Sequence, residues 1–122
     1  MLSLPPSVRV YIASEPIDMR RGHDGLFQLV KAWGLDPFNG DLFGFIGKRR
    51  DRAKILVWHR GGFVLVYKRL EKGKFRIPQV ASGSNRAVLD ATELTMLLDG
   101  IDLSRVKRPT LWEPKPPSDD NT

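Results

Sequence analysis

The sequence predicts a small α+β domain: a twisted, mostly antiparallel sheet of about four to five strands with two short helices packed on it. Three observations carry this. VRVYIA, LFGFIG, RAKILVWHR and FVLVYKRL are short, rich in β-branched and aromatic residues, and bounded by turn residues. Only Gly61-Gly62 separates the last two, which marks a hairpin. Two further segments, near residues 23–33 and 90–101, repeat their apolar residues at helical spacing. At 122 residues the chain has the length of one domain and can bury a core without cross-links.

The elements follow in order. Residues 8–13 form a first strand, and EPIDMRRG interrupts the alternation. Leu26, Leu29, Val30 and Trp33 share one face of a helix running from His23 to Trp33, and Gly34 suits its C-terminal cap. LDPFNG is a turn, residues 42–47 a second strand, and GKRRD a basic turn.

Residues 52–60 and 63–70 pair as a hairpin. With Gly61-Gly62 as its two-residue turn, Trp58 faces Leu65 and Lys54 faces Arg69. One face then holds Ala53, Ile55, Val57 and His59 with Val64, Val66, Lys68 and Leu70, and is aliphatic. The other holds Lys54, Leu56, Trp58 and Arg60 with Phe63, Leu65, Tyr67 and Arg69, and is aromatic with basic ends. EKGK is a turn, FRIP adds a short strand ended by Pro78, and residues 79–89 form a loop. Asp90 and Glu93 have capping-box spacing ahead of a helix whose apolar stripe is Leu94, Leu97, Leu98 and Ile101, with Gly100 at its end. The domain is expected over residues 1–104. A proline-rich tail over 105–122 is expected to be flexible, with Leu111 and Trp112 available to dock on the domain or on a partner.

The chain has no cysteine, so disulfides and thiolate metal sites are excluded and a reducing cytoplasm is the natural setting. MLSLPPSVRV lacks the pattern of a signal peptide, and no apolar run approaches the roughly 18 residues needed to span a bilayer, so no membrane is expected as partner. There is no P-loop, GxGxxG or GxSxG motif, and no cofactor or small-molecule substrate is expected. His23 and His59 lack the paired spacing of a zinc site.

The formal charge is +6, but residues 48–76 alone hold eleven basic and two acidic side chains. The rest of the chain is net acidic, so one segment accounts for the high pI of about 10.0. A local excess of this kind points to a polyanion partner. Lys48, Arg49, Arg50, Arg52, Lys72, Lys74 and Arg76 sit in or beside turns with few acids to pair, and Arg60 extends the set at the hairpin tip. Such side chains bind phosphate by releasing condensed counterions. Trp58, Phe63 and Tyr67 lie among them and read as sheet core; stacking on exposed bases is the competing reading. In IDMRRGHDG, Asp18 and Asp24 read as part of a helix entry, with Asp18 capping a turn and Arg20 paired to an acid. A two-metal carboxylate site is the competing reading.

IDMRRGHDGL at 17–26, LDPFNGDLFGFIGKRRDRAKILVWHRGGFVLVYKRLEKGKF at 35–75 and LTMLLDGID at 94–102 together resemble the small TnpB accessory proteins of insertion-sequence family 66 transposons. The resemblance covers roughly residues 5–103, and departs at Arg76-Ile77-Pro78, where the family pattern has an aromatic before the proline. It implies a non-catalytic protein that assists transposition beside a separate, larger transposase. Together with the charge map it makes DNA the expected partner, held by the basic hairpin segment, in the cytoplasm and at the nucleoid when bound. The alternative is an adaptor that docks on the transposase or another element-encoded protein without touching DNA.

Overall fold

The computed structural model describes residues 8–107. Along the chain it runs β1 (Val10–Ala13), α1 (His23–Ala32), β2 (Leu42–Ile46), β3 (Arg52–His59), β4 (Gly62–Arg69), β5 (Arg86–Leu89) and α2 (Ala91–Leu98), with a 3-10 turn at Leu103–Arg105. The strands form one sheet in the order β4-β3-β2-β1-β5. β1 and β2 are parallel across the α1 connection, and the other neighbours are antiparallel. This is the α+β fold expected, with β4 and β5 at the edges.

β1 and β2 are buried along their whole length, because both faces of the sheet are covered. Tyr11, Ala13, Phe43, Phe45 and Leu56 pack on one face with Leu26 and Val30 of α1. Val10, Ile12, Leu42, Ile46, Ala53 and Ile55 pack on the other with Leu94 and Leu97 of α2 and with Phe75. Trp33, just past α1, stacks on Phe45 with ring centroids 5.4 Å apart. The capping box of α2 is formed: the Asp90 carboxylate accepts from the Glu93 N–H at 2.8 Å, and the Asp90 N–H donates to Glu93 Oε1 at 3.0 Å. Gly100 follows with φ +82. The stripe is shorter than expected, since α2 ends at Leu98 and Ile101 is exposed.

Three further expectations are corrected. The hairpin turns at Arg60-Gly61, with φ 44 and 87, so Trp58 faces Phe63 and Lys54 faces Tyr67. Two positive φ angles in succession are those of a type I′ turn. This register brings Trp58 and Phe63 to 5.1 Å, where both also meet Phe38. The shift is by two residues, and side chains alternate with period two, so every side chain keeps its expected face. The second correction is FRIP, which is not a strand. Phe75 is fully buried, as an irregular segment plugging the α2-side core. Third, the fifth strand comes from the segment read as a loop. Arg86–Leu89 pairs antiparallel with β1 and sends Ala87 and Leu89 toward the α2-side core. Residues 1–7 and the tail beyond Lys107, with Leu111 and Trp112, lie outside the described residues.

Candidate nucleic-acid interface

The β2–β3 turn is closed by Arg50 N–H on the Gly47 carbonyl at 2.8 Å and Gly47 N–H on the Arg52 carbonyl at 2.9 Å, with Arg50 at φ 64. Two further backbone bonds tie this turn to the chain leaving β4. Leu70 N–H donates to the Asp51 carbonyl at 2.7 Å, and Phe75 N–H donates to the Arg50 carbonyl at 2.6 Å. Lys48, Arg49 and Arg50 on one segment and Lys72, Lys74 and Arg76 on the other therefore project from the same end of the sheet. All six are exposed, and none enters an ion pair among the described residues.

The remaining two candidates behave differently. Arg52 is partly buried, with Nε 3.9 Å from Asp51 Oδ1, and neither atom has a hydrogen-bond partner. Arg60 is exposed but caps the opposite end of the eight-residue strands β3 and β4. At about 3.3 Å per residue that is roughly 25 Å from the other seven, so the fold does not bring Arg60 to the cluster.

Three other cations of the segment serve the fold. Lys54 is 9% exposed, and its ammonium donates to the Met19 and Arg21 carbonyls at 2.7 Å each. Lys68 donates to the Leu98 carbonyl at the end of α2, also at 2.7 Å. Arg69 holds Glu71 at 2.8 Å. Arg52 and Arg69 stand directly opposite each other, an unfavourable like-charge pairing that their neighbouring carboxylates relieve.

The loop before α1 joins the basic end. Ile17 N–H donates to the Ile46 carbonyl at 2.9 Å, and Ile17 bridges to Gly47. Met19 packs so closely on Gly47 that a Cβ there would collide with it. Asp18 is gripped by the Arg20 guanidinium, with Nη2 2.6 Å from Oδ2, and by the Arg20 N–H at 2.9 Å. Those bonds, with smaller help from Lys48, hold its carboxyl far below the usual carboxylate range. Asp18 is thus engaged by an arginine in a turn ahead of α1, as the helix-entry reading expects, while Asp24 lies exposed in the first turn of α1. Between this loop and the basic turn lies a groove of about 390 Å³, lined by Arg20, Lys48, Arg49, Arg52 and Tyr67 with Asp18 and Asp51. A second groove, of about 660 Å³, lies beside β5 and is lined by Arg50, Arg76 and Arg86 with Glu93 and Asp102. The Asp102 carboxyl is lowered by the Ser104 hydroxyl first and its N–H next, with Arg105 and Arg76 adding less.

The aromatic residues separate. Trp58 and Phe63 join Phe27 and Phe38 in a cluster with centroids 5.1 to 5.6 Å apart. Tyr67 is outside that cluster and 48% exposed, with Lys54 Nζ 5.6 Å from its ring centroid. His23 and His59 are exposed. Sequence reasoning did not anticipate Arg86 or the IDMR loop beside the basic turn. Neither had a local signal: Arg86-Ala-Val-Leu89 shows no polar–apolar alternation, and the place of the loop rests on contacts between distant segments.

The family model of IS66 Orf2-like proteins matches residues 8–108. The uncharacterized protein y4jC of Sinorhizobium fredii is 38% identical over 115 residues, covering 93% of this chain and 97% of that protein. A second Sinorhizobium fredii protein, y4hO, is 36% identical over 104 residues, covering 84% of this chain and 88% of its own length. No solved structure matches the chain.

Proposed function

The chain belongs to the IS66 Orf2-like family, which implies an accessory role in transposition, and from that premise we propose that it is a non-catalytic factor that binds DNA through the basic end of its sheet. The observation that carries this reading is the convergence of two turns, which sets Lys48, Arg49, Arg50, Lys72, Lys74 and Arg76 together, exposed and without ion pairs among the described residues. Cations held in that way are available to phosphates. Arg52 contributes from the rim. Contacts of this type position a protein on a duplex without reading its sequence.

Six phosphate contacts give a slope of about −5 for log K against log salt on duplex DNA. Reversing Arg49, Arg50, Lys72 and Lys74 to glutamate is expected to abolish duplex binding at low salt while leaving the folded state intact by circular dichroism. Undiminished binding by that folded variant rejects the reading. The same cations also fit an acidic protein surface. Capture of the element's transposase after nuclease treatment, by protein that shifts no DNA, would put the adaptor role in its place.

A further inference from the structure

Tyr67 differs from the other aromatic residues of the hairpin. Trp58 and Phe63 are partly buried and pack with Phe27 and Phe38, whereas Tyr67 is 48% exposed and lines the groove with Arg20, Lys48, Arg49 and Arg52. It lies in β4, an edge strand of the sheet among the described residues. Its cross-strand partner is Lys54. The Lys54 ammonium sits 5.6 Å from the ring centroid and is itself fixed by two backbone carbonyls at 2.7 Å. The ring is thus steadied from within the sheet by a buried cation.

We propose that this groove takes an unpaired nucleotide of a DNA strand, its base stacked on Tyr67 and its flanking phosphates on Lys48, Arg49 and Arg52. The inference rests on the DNA-binding reading and sharpens it. A base can stack on a protein ring only when its own face is free, which favours single strands and frayed ends over intact duplex. Of the two carboxylates of the groove, Asp18 is held by Arg20, and Asp51 has its Oδ1 buried away from solvent.

The test compares the full chain with Tyr67→Leu, which keeps an apolar strand residue without a π-face, and Tyr67→Phe, which keeps the face. Each is titrated with an oligothymidylate strand and with a blunt duplex of equal length. The single-strand to duplex affinity ratio is expected to fall about 5- to 150-fold in the leucine variant and to stay near wild type in the phenylalanine variant. The salt slope should remain that of wild type, because a neutral ring releases no counterions. An unchanged ratio in the leucine variant, or an equal fall in both, overturns the proposal. If charge reversal of the turns removes binding while the leucine variant leaves the ratio intact, DNA binding stands and base stacking falls. If the wild-type protein binds neither ligand, both fall.

Discussion

Lys54 and Arg49 carry the same charge five residues apart, and burial separates their roles. Lys54 projects onto the face that α1 covers, where an ammonium needs hydrogen-bond partners to be tolerated. The Met19 and Arg21 carbonyls meet that need and in turn fix the loop before α1. Lys54→Met is expected to lower stability by about 2 kcal/mol in urea titration, chiefly from carbonyls left unpartnered. Asp18 offers a second residue-scale test. Its depressed pKa in the folded state means that its pairing with Arg20 stabilises the fold above the ordinary carboxylate range and is lost as pH falls through the folded value. Arg20→Ala should return the Asp18 titration, followed by carboxyl NMR, toward about 3.9. The sequence separates Lys48 in a turn from Lys54 in a strand, but the burial of Lys54 against the loop before α1 is decided by the tertiary structure.

At the scale of elements, the hairpin shows both what a pattern specifies and what it leaves open. Alternation in ILVW and FVLVY assigns each side chain to a face, but a two-residue slip preserves the faces, so the pattern alone does not choose between turns at Arg60-Gly61 and Gly61-Gly62. The aromatic contacts of Trp58 and Phe63 with Phe38 favour the first, and Arg60 accepts a left-handed conformation as a consequence. Arg60→Asn suits that conformation and is expected to stabilise the protein by about 0.5 kcal/mol in thermal unfolding. Because Arg60 lies at the far end of the strands, the same variant should leave the salt slope of DNA binding unchanged. The start of α2 was legible because a capping box is local: Asp90→Ala should cost about 1 kcal/mol. β5 was not legible, since Arg86-Ala-Val-Leu89 shows no polar–apolar alternation and becomes a strand mainly by pairing with the fully buried β1.

For the molecule as a whole, one sheet carries two cores. Leu26 serves the α1 side and Leu97 the α2 side, and both are essentially inaccessible. Since the central strands belong to both layers, Leu26→Ala and Leu97→Ala are each expected to cost about 2–5 kcal/mol and to lower one shared unfolding transition. Two separated transitions would refute this coupling. The same sheet orients the surface charge. Strand order and the bonds from Leu70 and Phe75 to the β2–β3 turn place two basic turns at one end, beside the loop that holds Asp18.

By itself the sequence determined the α+β class, four of the five strands, both helices, the faces of the hairpin and the segment that carries the positive charge. These depend on periodicity, capping and composition, which act over a few neighbouring residues. The tertiary structure alone decided which cations lie together, that Lys54 is buried and Arg60 remote, and that Tyr67 faces a basic groove while Trp58 does not. Those outcomes depend on hydrogen bonds and packing between segments far apart in the chain, which spacing within any one segment does not encode.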